Sequence, residues 1–179
     1  HVTPGSLNTP AMQDLLAEAT KQKVPVKEKM EGTSWQVGST RFHYLSPHDT
    51  LYEGNNDSIV LFIQQGSFRA LLTGDLEEAG ERQLIKLYGH QLANMTLLKA
   101  GHHGSKTSSI EPFVELLRPA LTVFSAGRNN RYHHPHDIVV ERFRMRQLAT
   151  KTTSIDGTIE VSVHGGKWIV RTEKDLVRK

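Results

Sequence analysis

A mixed sheet with helices between its strands, of the α/β or α+β class, is what the sequence predicts, and three observations predict it. Short apolar runs of strand length alternate with stretches of helical periodicity. Three of those runs end in polar clusters, the pattern of a sheet whose strand ends carry a site. No run approaches the roughly 20 apolar residues of a membrane-spanning helix. Taken in order, TPAMQDLLAEATK (9–21) sets Met12, Leu15, Leu16 and Ala19 at helical spacing, after Asn8 and Thr9, either of which can cap. Trp35 to Val37 and Arg41 to Leu45 read as short strands turning at Gly38 and Ser39, and SIVLFIQQ pairs with SFRALLT around Gly66. Glu77 to Leu87 is helical. MTLLKA is a buried strand. Glu111 to Leu117 is a helix stopped by Pro119, ALTVFSA a strand, and Asp137 to Gln147 a helix capped by Asp137. TIEVSV and KWIVR form a hairpin whose turn Gly165 and Gly166 supply. No repeat, linker or low-complexity run divides the chain, so residues 1–179 are expected to be a single domain.

The 179 residues contain no cysteine, which excludes thiolate metal sites, disulfides and thiol nucleophiles. Any metal must be held by His, Asp or Glu, and ten histidines are present. The formal net charge of +3 permits a phosphate-rich partner without requiring one. The chain starts at His1 rather than Met and is expected to be a piece of something longer.

The chemistry-bearing residues gather at strand ends. ALLTGDLEE ends at Asp75, TLLKAGHHGS at His102 and His103, and TVFSAGRNNRYHHPH at Asn129, Asn130, Tyr132, His133, His134 and His136. A carboxylate and imidazoles without thiolate suit zinc, manganese or iron. Asp75 could instead cap the following helix. His134 and His136 could be ligands, or one of them a proton donor or phosphate contact. Asn56, Asp57 and Ser58 read as a plain turn, or else as one wall of the site. His43, His48, His90 and His164 have no partners at ligand spacing and are expected to be structural or solvent-facing. Arg142 and Arg146, with Arg128, Arg131 and Arg144, are expected on a solvated helix face, with contact to a phosphate backbone as the alternative.

LLTGDLEEAGERQLI, LLKAGHHGSKTSS and FSAGRNNRYHHPH, in that order and spacing, closely resemble the metallo-β-lactamase-like domain of ComEC, the competence DNA-internalisation family of bacteria. NNDSIVLFIQQGSFRALLTGD and TTSIDGTIEVSV are similar to it as well, and the likeness covers most of residues 40–163. It implies the C-terminal part of an αββα sandwich and a site for two divalent ions, zinc or manganese. It implies hydrolysis of DNA phosphodiesters, degrading one strand during uptake. Carried over, Asp75 bridges the two ions, and His102 or His103 is the late histidine ligand, leaving Asp75, His102 and His103 as metal ligands. Asp75, His103 and His134 are the expected catalytic residues. Ser105, Lys106, Asn130, Arg131 and His134 are expected to bind substrate. The implied partners are DNA, single- or double-stranded, a neighbouring membrane channel domain, and a second copy through exposed strands. The implied place is a soluble domain on the extracellular side of a polytopic membrane protein. The family's first ligand cluster, His-x-His-x-Asp-His, is absent from this sequence. The metal set is therefore expected to be incomplete or empty here, and the chain inactive by itself. The alternatives are another phosphodiesterase of the superfamily, such as a phosphorylcholine esterase, or a DNA-binding sub-domain without turnover.

Overall fold

The computed structural model describes residues 1–3, 7, 9–28, 31–46 and 54–176. Asn8 and His48, named above, lie outside the described residues. The first helix, α1 (Pro10–Lys21), starts where Thr9 accepts the Met12 N–H, with Pro10 at a position that has no amide hydrogen to satisfy. Next come β1 (Ser34–Val37), β2 (Thr40–Ser46), β3 (Val60–Gln65) and β4 (Phe68–Leu72), joined as antiparallel neighbours. Then α2 (Glu78–Leu92), β5 (Leu97–Lys99), α3 (Glu111–Leu117), β6 (Leu121–Phe124), α4 (Asp137–Met145) and β7 (Thr150–Thr152) extend the sheet with parallel strands. The seven strands lie side by side in chain order. The single-turn helix α5 (Thr153–Asp156), a separate hairpin of β8 (Ile159–His164) and β9 (Lys167–Thr172), and α6 (Glu173–Leu176) complete the chain. The hairpin turns on Gly165 and Gly166, both at positive φ (57° and 76°), which a two-residue turn matched to strand twist demands.

One sheet face is buried under three helices. Leu71, Leu98 and Phe124 meet Leu84 and Leu92 of α2, Phe113, Val114 and Leu117 of α3, and Val139 and Phe143 of α4 in one core. The other face is also apolar. Strand register sets Trp35, Phe42, Ile63, Ala70, Leu97 and Leu121 in one row, and Tyr44, Leu61, Leu72, Lys99 and Val123 in the next. Such a sheet, apolar on both faces with helices on one, is compatible with half of an αββα sandwich.

Several local expectations are corrected. The helix read as 77–87 runs to Leu92. The cap position of α4 belongs to His136, not Asp137, and Asp137 is the first helical residue, where its charge favours the helix dipole. Strand β7 is a three-residue strand that the sequence reading missed. The arginines divide between the two readings: Arg128, Arg131 and Arg144 are exposed, whereas Arg142 and Arg146 are partly buried. Arg142 donates to the Ser108 and Ser109 carbonyls, Arg146 to the Arg142 carbonyl, and Arg144 pairs with Glu141.

Candidate active site

The turn after β4 and the turn after β5 lie side by side, because β4 and β5 are parallel neighbours. The His102 N–H donates to the Gly74 carbonyl (3.2 Å) and joins the two turns. Lys99 reaches in from the second sheet face, its Nζ donating to the Gly74 carbonyl at 2.9 Å and the Ala100 carbonyl at 3.3 Å. Burial lowers the Lys99 pKa, and the Asp75 charge opposes that shift. His102 and His103 both take left-handed backbone angles (φ 44° and 57°), a conformation that non-glycine residues hold at a cost of about 1–3 kcal/mol each. The two rings stand 6.2 Å apart, edge to face.

Each ring is oriented through its Nδ1. His103 Nδ1 donates to the Ser125 carbonyl (2.6 Å), and a carbonyl only accepts, so this nitrogen carries the hydrogen. Nε2 of His103 then faces Asp75 Oδ1 at 3.4 Å. The pair can be joined either by a proton on Nε2 or by a cation that both atoms ligate. Both side chains are about two-fifths exposed, so an ion can reach them. His102 Nδ1 lies 3.1 Å from Glu77 Oε1, an oxygen that also accepts from Thr107 Oγ1 (2.8 Å) and Asn55 Nδ2 (3.3 Å). Burial alone would raise the Glu77 pKa, but these hydrogen bonds from Thr107, Asn55 and His102 outweigh it and hold the carboxyl below its usual range. Where His102 Nδ1 donates to Glu77, Nε2 is left as an acceptor.

His134 completes an imidazole group, its ring 5.5 Å from that of His102 and 6.3 Å from that of His103. Burial, then the neighbouring His136, His102 and His103, depress its pKa, while Asp75 opposes them. Asn130 holds the His134 backbone at both ends, accepting its N–H and donating to its carbonyl, each at 2.8 Å. His136 accepts the Lys106 N–H on Nδ1 (3.1 Å), which fixes that ring to the loop. Among the residues expected to bind substrate, Asn130 and His134 line one cavity with His103, and Arg131 is exposed beside it. Lys106 lines a different cleft, with Asn56, Glu77 and Arg82. Ser105 is buried, its hydroxyl against that of Thr107.

Asn56 and Ser58 are not a plain turn. Asn56 Oδ1 accepts the Glu77 and Gly80 N–H groups, and Ser58 Oγ accepts that of Asp75. The loop before β3 therefore braces the Asp75 turn. Asp75 does not cap α2, whose cap position is Glu77. Among the described residues no group of three or more His, Asp or Glu stands in a metal-holding arrangement.

The chain is 36% identical over 160 residues to ComE operon protein 3 of Bacillus subtilis, covering 89% of this chain and 20% of that protein. Over the matched segment, the chain belongs to the ComEC family. It is likewise 33% identical over 132 residues to Recombination protein 2 of Haemophilus influenzae (73% of this chain, 16% of that protein) and 34% identical over 133 residues to Competence protein ComA of Neisseria gonorrhoeae (74% and 19%). No protein-family model matches. The chain thus spans about a fifth of the length of these ComEC relatives. Within this ComEC segment, sequence reasoning missed Glu77, Asn55, Thr107, Lys99 and the Ser125 carbonyl. A signal existed for Glu77, an acid two residues beyond Asp75 in TGDLEE.

Proposed function

We propose that this ComEC-family chain carries one end of the hydrolytic site of a competence protein, a metal-dependent phosphodiester hydrolase acting on one DNA strand during uptake. The observation that carries the reading is the Asp75–His103 pair, with the ring turned by Ser125 so that Nε2 meets the carboxylate. A nitrogen and an oxygen donor without thiolate suit zinc or manganese. Asp75 and His103 would hold one such ion, and His102, oriented by Glu77, would offer its Nε2 beside them. Bound divalent ions supply an acidified water and neutralise charge on the phosphate. His134 sits among the other rings as the group that, once protonated, would give a proton to the leaving 3′ oxygen. The remaining ligands would come from outside the described set.

In this reading the partners are DNA and the neighbouring membrane channel domain of the whole protein, with this chain as its soluble, outward-facing part. No helix among the described residues is long and apolar enough to cross a membrane. The test is cleavage of a long DNA by the intact protein in manganese or zinc. Wild type cleaves, Asp75→Ala falls to background, and EDTA abolishes the activity. Equal rates for wild type and Asp75→Ala would remove catalysis from these residues. Cleavage of small phosphodiesters with DNA left intact would point to a different phosphodiesterase.

A further inference from the structure

Beside the Asp75–His103 pair lies a cavity of about 230 Å³ lined by His103, Ser125, Ala126, Gly127, Asn130, Tyr132 and His134. It shares two imidazoles with the proposed hydrolytic site, so whatever fills it is attached to, or adjacent to, the phosphate held there. The Tyr132 ring is 57% exposed and packs on His134, with ring centres 5.7 Å apart and planes 23° from parallel. Arg131 holds the ring, its guanidinium carbon 4.7 Å from the ring centre and its Nη2 donating to the Tyr132 hydroxyl.

Most polar groups of this lining are already spent on the protein. The Ser125 carbonyl accepts from His103, and the Gly127 carbonyl from Asn130. The Ala126 N–H and carbonyl both bond Thr153 Oγ1. Both ends of the Asn130 amide are bound within the loop. Such a wall has little left with which to read the edge of a base, but more than half of the Tyr132 surface stays open beside the His134 ring and the Arg131 guanidinium. A planar group can gain contact there whatever its hydrogen-bonding pattern.

We propose that this cavity is a base-stacking subsite: it seats a nucleobase next to the scissile phosphate against Tyr132, without reading its identity. The proposal rests on the phosphodiester reading above and names the substrate as single-stranded nucleic acid whose bases are unpaired.

The experiment is fluorescence anisotropy without divalent metal, comparing labelled oligothymidylate of about eight nucleotides with an abasic oligonucleotide of equal length. Wild type should bind the base-bearing strand about tenfold more tightly than the abasic one. Tyr132→Ala should lose that ratio while binding the abasic strand as wild type does, and Tyr132→Phe should keep it. Equal wild-type affinity for the two strands overturns the subsite and leaves the phosphodiester reading standing, as does a ratio that survives in Tyr132→Ala. Binding of neither strand overturns the subsite and leaves the phosphodiester reading to the cleavage test above. Release of the oligonucleotide by phosphorylcholine, where thymidine monophosphate fails to release it, also overturns the proposal and assigns the cavity to a choline ester. Circular dichroism of the variants checks the fold; the ring is exposed enough that its removal should leave the fold intact.

Discussion

Each of two neighbouring histidines surrenders one nitrogen to a fixed acceptor, and which acceptor it is sets what the other nitrogen can do. His103 is turned by a backbone carbonyl, whereas His102 is turned by a carboxylate that Thr107 and Asn55 also hold. A carboxylate behind an imidazole fixes its tautomer and raises its basicity as a ligand, and losing such a partner costs metal affinity or activity about 10–100-fold. On the proposed hydrolytic reading, Glu77→Gln should therefore lower metal-dependent cleavage by the intact protein by that factor. The midpoint of urea unfolding should move little, because the glutamine Oε1 can still accept from Thr107 and Asn55. Tightness of manganese binding, read by electron paramagnetic resonance, should fall in parallel. If cleavage and manganese binding are both unchanged, His102 is not held for chemistry. The adjacent His-His pair was legible in the sequence as a candidate, but the division of labour was not. It depends on which atoms of residues 55, 77, 107 and 125 arrive from other parts of the chain.

At the level of elements, the hairpin on Gly165–Gly166 and the helix Glu111–Leu117 were readable because local chemistry determines them. Strand β7, with the sequence TKT, carries no apolar alternation, and only its pairing with β6 makes it a strand. The brace from Asn56 and Ser58 was hidden for a related reason: its partners lie 17 to 24 residues away in the chain. Two predictions belong here. Gly104 has φ +86°, and a Cβ there would stand 2.6 Å from Pro135 Cβ and 2.7 Å from the Phe124 ring. Gly104→Ala should destabilise the chain by about 1–3 kcal/mol in urea unfolding, through strain and overpacking. The second concerns Glu81, a buried carboxyl of α2 that accepts the Ser109 and Ile110 N–H groups at the start of α3. Burial raises its pKa to about 7, against the pull of those two bonds and of Arg142. The folded state therefore binds more protons than the unfolded one between about pH 4.5 and 7. Its contribution is complete below that window and is lost as the pH rises through 7, a swing of about 3 kcal/mol. Unfolding measured at several pH values should show stability falling across this window in wild type, and a flatter profile in Glu81→Gln. Parallel profiles would mean that the two amide bonds keep the carboxylate ionised throughout.

For the molecule as a whole, the decisive feature is a sheet that is apolar on both faces but covered by helices on only one. Across five strands, Trp35, Phe42, Ile63, Ala70 and Leu97 form a continuous row, and of these only Ala70 is fully buried. Trp35 stacks on Phe42 with ring centres 5.0 Å apart, so the row ends in a flat aromatic surface. A patch of this kind on a soluble protein marks a contact surface. A sandwich hides it against a second sheet, whereas in this chain most of the row is only partly buried, with the His1 ring edge-on to Trp35. The expectation is reversible association of the 20.1 kDa chain with itself through this face. Sedimentation velocity over a range of concentrations should show the mass rising above that of one chain. Ile63→Lys, which places a charge mid-row at a half-exposed position, should return the chain to a monomer without unfolding it, because a lysine can extend its ammonium to solvent. Covalent or co-expressed addition of the rest of the intact protein's sandwich should have the same effect on the wild-type chain. A wild-type chain that stays monomeric at every concentration would show that this row is already covered, and the half-sandwich reading of the sheet would fall with it.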